Sequence, residues 1–159
     1  MTSGKRREGG EDRSPPLPTI PEWALALLRD GRVGRLATAD AGGRPLVVPV
    51  CYAFDGRRVW SAVDAKPKRT RNLRRLRNIA ENPRVSLLVD RWDEDWRHLA
   101  WVIVEGRAQV LETGADRARA VELLLAKYPQ YRALRLTETA GPVIAVAPER
   151  VLHWRAAVP

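Results

Sequence analysis

Three strand-like runs joined by tight turns constrain this chain more than any other feature. Arg32–Ala39 alternates, with Val33, Arg35 and Ala37 opposite Gly34, Leu36 and Thr38. Ala41-Gly-Gly-Arg44 is a hairpin turn, Pro45–Phe54 is the returning strand, Asp55-Gly56 signals a second hairpin and Arg58–Val63 is the third strand. Hairpins this short join antiparallel neighbours only. Pro49 lies inside the returning strand and cannot donate to a ladder, so it requires a bulge or an unpaired edge position.

The remaining elements fit the same plan. Pro21–Asp30 reads as a short amphipathic helix, with Trp23, Ala24, Leu27 and Leu28 on its apolar face and Gly31 as its stop. Leu73, Leu76, Ile79 and Ala80 recur at helical spacing, and Asn82-Pro83 ends that helix. Arg84–Asp90 and Leu99–Leu111 are strands that could pair across a polar, Trp-bearing loop. Asp116–Lys127 is a second amphipathic helix, with Val121, Leu124, Leu125 and Tyr128 inward. Pro142–Val146 and Arg150–Arg155 close the sheet as two further strands. The expected fold class is mainly β with inserted helices, a small barrel of six to seven largely antiparallel strands. No strand is followed by Gly-x-Gly-x-x-Gly, which argues against a dinucleotide-binding sheet.

Composition narrows the function. The chain has 159 residues, a length that suits one domain, and a formal net charge of +9, which favours anionic partners. Residues 1–18 read as a flexible arm and 19–159 as the domain. The single cysteine, Cys51, fits a reducing, cytoplasmic setting, and no apolar run approaches the roughly 18 residues that span a bilayer. The charge concentrates in Lys66–Arg77, Lys-Pro-Lys-Arg-Thr-Arg-Asn-Leu-Arg-Arg-Leu-Arg, which carries seven cations and no acid. A basic segment between two strands can hold a cofactor phosphate or a nucleic acid backbone, or can be a solvated helix face. No helix-turn-helix or RNA-recognition signature accompanies it, which argues against nucleic acid.

The order of parts resembles the pyridoxamine 5'-phosphate oxidase-like split β-barrels of the FMN-binding type. Gly34–Tyr52 is similar to their opening hairpin, and Lys66–Arg75 followed by Asn82–Val89 is similar to the next part of the pattern. The likeness is nearest to the flavin/deazaflavin oxidoreductase branch, in which coenzyme F420 often replaces FMN, and Asp90–Trp96 resembles one subgroup of it. The resemblance implies a homodimer with coenzyme sites at the subunit interface. It also implies a phosphate held by Lys66, Lys68, Arg69 and Asn72, with Arg71 beside them. The backbone of Val48, Pro49, Val50 and Cys51, and of Ser61, Ala62 and Val63, would line the tricyclic ring. The activity implied is hydride transfer from F420, or alternatively redox chemistry with FMN, on a small planar molecule. The C-terminal substrate residues of true pyridoxamine phosphate oxidases are not recognisable, which argues against that specific reaction.

Other residues carry less. Cofactor redox chemistry needs position and water exclusion more than a side-chain acid or base, and none is evident. His98 and His153 stand apart from cysteine or acid at ligand spacing, so neither a metal nor a haem is expected. Asp93, Glu94 and Asp95 read as an exposed acidic loop. Trp60 and Trp101 read as core. Trp92 and Trp96 are expected either to border a substrate pocket or dimer seam, or to pack under their loop. Tyr128 and Tyr131 either cap the pocket or anchor the turn.

Overall fold

The computed structural model describes residues 19–63, 73–134 and 141–156. The expected N-terminal arm, residues 1–18, lies outside them. Seven strands form one antiparallel sheet: β1 (Gly34–Ala39), β2 (Pro45–Val50), β3 (Ala53–Phe54), β4 (Val59–Ala62), β5 (Arg84–Arg91), β6 (Ala100–Leu111) and β7 (Val143–Arg155). Their order is β2-β1-β5-β6-β7-β4-β3. The helices are α1 (Glu22–Asp30), α2 (Arg74–Glu81), α3 (Ala115–Lys127) and the short α4 (Gln130–Ala133), with a 3-10 turn over Trp96–His98.

That order dictates the shape. β2 and β3 stand at opposite ends of the sheet, yet only Cys51 and Tyr52 separate them. Seven flat strands would put the ends about 29 Å apart at ~4.8 Å per step. Three residue steps from Val50 to Ala53 reach about 11 Å at most. The sheet must therefore curl until its ends nearly meet, which gives the mainly β barrel expected from the hairpins and the split-barrel type that the resemblance implies. The returning strand predicted as Pro45–Phe54 is two strands with a joint, because the chain passes there from one sheet end to the other. Pro49 stays in register opposite Arg35 on the edge strand β2, where its missing N–H costs no ladder bond.

The two predicted closing strands are one. β7 pairs along the whole of β6, with its register shifting between Glu105 and Gly106. Pro148 stands opposite Gly106 and Arg150 opposite Glu105, so Glu149 is the extra residue of a bulge. The bulge brings backbone against Gly106, where an added Cβ would lie 2.1 Å from the Ala147 carbonyl oxygen.

Alternation sorts the two faces. Val102 and Val104 on β6, Val85, Leu87 and Val89 on β5 and Leu36 on β1 point inward with Tyr52, under α1 and α2. A second cluster joins Trp60, Ala62, Val143 and Ala145 to Val121, Leu124 and Tyr128 of α3 and its end. Trp60 is core, as expected. Trp101 is not: it shares the outer phase with Ile103 and stands beside Trp154, because Val102 takes the inward position. Leu125 is half-buried and packs against the rim of the second cluster. Among the described residues no helix is long and apolar enough to cross a membrane.

Candidate functional site

The curl brings together the two backbone runs expected to line a ring. Val48, Pro49 and Val50 run along β2, whose outer edge has no neighbouring strand among the described residues. Ser61 and Ala62 end β4, and Val63 follows. β3 pairs with β4 only at Trp60 and Val59, so Ser61 and Ala62 outrun it and have strand partners on the β7 side alone. Two edges with open backbone groups thus approach one another. The Ser61 hydroxyl donates to the Cys51 carbonyl at 2.8 Å and ties them. Val63 is fixed from its other side: its N–H donates to the Pro142 carbonyl at 3.0 Å, and the Gly141 N–H donates to the Val63 carbonyl at 2.9 Å.

The joint between the edges is held by residues far along the chain. The Tyr52 N–H donates to the Tyr128 hydroxyl at 3.1 Å, and that hydroxyl lies 2.8 Å from the Tyr52 carbonyl and 3.0 Å from the Arg32 carbonyl. Tyr128 therefore anchors, and Tyr131 packs edge-on against it at 5.7 Å between ring centres. The Tyr52 hydroxyl donates to the Leu28 carbonyl at 2.6 Å. Lys127 lies over the Tyr52 ring at 4.1 Å, and its buried amine has no hydrogen-bond partner among the described residues. Burial, then the nearby Arg32 guanidinium, pulls the Lys127 ammonium down to about 8, against the pull of Asp30 and Cys51. Burial pushes the Tyr52 and Tyr128 phenols up, so both keep their protons. Sequence reasoning placed Tyr128 inward from its spacing to Leu124. It missed the Tyr52–Tyr128–Lys127 group, because nothing local ties residues that lie 76 apart in sequence.

The phosphate residues Lys66, Lys68, Arg69, Arg71 and Asn72 lie outside the described residues. The helix that follows them is described. The N-cap of α2, Leu73, makes no side-chain capping bond, and the first turn contains no acid. Arg74 and Arg77 are exposed on it. An uncapped helix start among arginines is a donor set that suits an anion. α2 is seated by buried Asn78, whose amide donates to the Thr38 hydroxyl at 3.0 Å, and by Glu81, which accepts from the Ala41 N–H at 3.1 Å. Open strand edges for a flat heteroaromatic ring and a cationic helix start for a phosphate together fit a flavin-type coenzyme.

The remaining candidates lie elsewhere. Trp92 and Trp96 are 67% and 68% exposed, so they do not pack under their loop. Neither is joined by a ring contact or hydrogen bond to the β2–β4 edges among the described residues. The loop holds itself. The Asp95 N–H donates to the Asp93 carboxylate at 2.8 Å, Arg97 donates to Asp95 at 2.6 Å, and Arg91 donates to the His98 carbonyl at 2.8 Å. His98 does have an acid nearby, with Nδ1 3.3 Å from Asp93. Among the described residues no group of three metal-ligating side chains comes together. A cleft of about 500 Å³ opens on the outer sheet face and is lined by Ala37, Pro45, Arg84, Ser86, Glu105 and Glu149 among others. It contains none of the residues expected to line the ring.

A family profile described as pyridoxamine 5'-phosphate oxidase matches residues 20–155. The chain is 29% identical over 131 residues to a 5a,11a-dehydrotetracycline/5a,11a-dehydrooxytetracycline reductase of Streptomyces rimosus, covering 82% of this chain and 79% of the reductase. Among solved structures, a conserved hypothetical protein of Mycobacterium tuberculosis superposes with a TM-score of 0.69 at 20% identity, over 92% of this chain and 90% of that one. A FAD-binding protein of Mesorhizobium loti superposes with a TM-score of 0.68 at 22% identity, over 87% and 96%. At these identities the two structures speak for the fold. With a matched profile that spans nearly the whole barrel, the chain belongs to the pyridoxamine 5'-phosphate oxidase family.

Proposed function

We propose that this protein is an oxidoreductase that uses F420 to reduce a small planar organic molecule. The observation that carries the reading is the identity to a reductase over 82% of the chain. When bound, the reduced coenzyme supplies the hydride. The chain's residues then have to hold and orient it. The backbone edges Val48–Cys51 and Ser61–Val63 take the ring, and Lys66, Lys68, Arg69, Arg71 and Asn72 take the phosphate as point charges and forks. Arg74 and Arg77, exposed on α2, extend the positive charge past that segment. Such an extension suits the longer anionic tail of F420, which FMN lacks. FMN is the second reading, supported by the same edges and the same family.

A homodimer belongs to this proposal. Leu88, Ile103 and Leu152 stand in one cross-strand row on the outer face, each half-exposed. Val47 is 61% exposed and Trp154 46% on that face. An apolar row of this kind, bordered by Arg35, supports association, and a second copy would cover it and the adjoining cleft. Trp92 and Trp96 remain candidates for its seam. A small-molecule substrate and a cytoplasmic setting complete the reading.

Fluorescence titration with F420 and with FMN tests it. Lys66→Ala/Lys68→Ala is expected to weaken the preferred coenzyme by about tenfold or more, since two charge-assisted phosphate contacts are lost. Unchanged affinity removes the phosphate assignment, and uptake of neither coenzyme removes the function.

A further inference from the structure

We propose that Tyr128, at the end of α3, is a positioning residue that sets the coenzyme wall through the Cys51–Tyr52 joint; the inference rests on the oxidoreductase reading above. Cys51 and Tyr52 belong to no strand, so no ladder answers their backbone groups. Buried backbone groups must nevertheless find partners. Tyr52 is wholly buried, and one phenol meets both its N–H and its carbonyl. The carbonyl of Cys51 is met by the Ser61 hydroxyl. Three polar groups of the joint are thus answered by two side chains, one of them supplied from α3.

The phenol ring is held by its neighbours. The Arg32 guanidinium lies 4.6 Å above the Tyr128 ring, and Tyr131 packs against it edge-on. As donor, the hydroxyl has one proton for two carbonyls, those of Tyr52 and Arg32. It therefore couples the joint to the entry of β1. The opposite wall is pinned from the same side of the chain, since Val63 bonds Gly141 and Pro142. The stretch beginning at Tyr128 thus fixes one wall through a side chain and the other through backbone. Removing the hydroxyl frees the joint that ends the first wall, while β2 stays paired with β1 and the second wall stays pinned.

The test compares Tyr128→Phe with Leu124→Val, a core variant on the same helix chosen for an equal loss of thermal midpoint. Three quantities are measured: affinity for F420 and FMN, the visible absorption of the bound ring, and hydrogen exchange at the Tyr52 amide. Tyr128→Phe is expected to lower affinity about tenfold, the size of one lost buried hydrogen bond. It is also expected to shift the absorption band and speed exchange at Tyr52, with Val59–Ala62 unchanged. Leu124→Val is expected to bind as the unaltered protein does. Tyr128→Phe binding and absorbing normally, or Leu124→Val losing as much affinity, overturns the positioning role and leaves the oxidoreductase reading intact. Uptake of neither coenzyme by the unaltered protein overturns both. If Tyr128→Phe does not fold, Ser61→Ala puts the question to the joint from the Cys51 side, and unchanged affinity there overturns the proposal.

Discussion

Lys127 carries an ammonium into a place that offers aromatic faces but, among the described residues, no hydrogen-bond partner. Its depressed pKa makes stability depend on pH. Between about pH 8, where the folded group titrates, and its ordinary 10.5, the unfolded chain holds the extra proton. Stability therefore rises with pH across that window. Below about pH 8 both states are protonated, and the cost of burying the charge is fully present. Above the ordinary tyrosine range the raised phenols of Tyr52 and Tyr128 work the other way, since the unfolded chain ionises first. Urea unfolding at a series of pH values should show the rise, and Lys127→Met should flatten it. The same variant should gain about 1 kcal/mol at neutral pH, a figure kept small by the half-buried stem and by the attraction to the Tyr52 face. At this scale the sequence was a partial guide. Trp60 and Tyr128 could be placed inward from spacing. Trp101 was missed because the strand opens on an unbroken apolar run, Leu99–Val104; the alternation that places it outward shows only further on, where its phase carries Glu105, Arg107 and Gln109 and the other carries Gly106, Ala108 and Val110.

The elements that could be read locally were those with a local cause. The α2 and α3 helices follow from apolar spacing, and the β1–β2 and β3–β4 turns from glycine-bearing hairpin signals. Two boundaries were misread for the same reason. Pro45–Phe54 is apolar from end to end, so nothing in it announces the joint that the Tyr128 hydroxyl bonds from far along the chain. Pro148-Glu149 looks like a break, but β6 accepts the extra residue as a bulge. That acceptance depends on Gly106. A methyl group there meets a main-chain carbonyl, which cannot swing aside as a side chain can. Gly106→Ala is expected to cost about 3 kcal/mol, at the upper end of overpacking effects, and chemical denaturation would measure it. Retained stability would mean that β6 and β7 can separate at the bulge without loss.

For the molecule as a whole, the half-exposed row Leu88, Ile103 and Leu152 tests the proposed pairing of copies. Leu88→Glu puts a charge in the middle of the outer face without entering the core, so the barrel should fold. Light scattering should then report the mass of one chain where the unaltered protein gives two, and coenzyme affinity should fall with it. Two unaltered copies that fail to pair at micromolar concentration would remove the shared-site arrangement. The barrel itself was legible because antiparallel hairpins leave few alternatives. The proposed place of the coenzyme came from the resemblance alone, since it depends on two strand edges that meet after the sheet curls.

The position of β4 has a consequence for how the chain is made. Among the described residues its one long partner is Val143–Val146 of β7, roughly eighty residues further on. All four residues of β4 are buried in the finished barrel. At ribosomal speeds of about 5–20 residues per second, that apolar segment waits on the order of ten seconds for its cover. A nascent chain halted before residue 143 should therefore be the form that chaperones hold, with Val59–Ala62 as the gripped stretch.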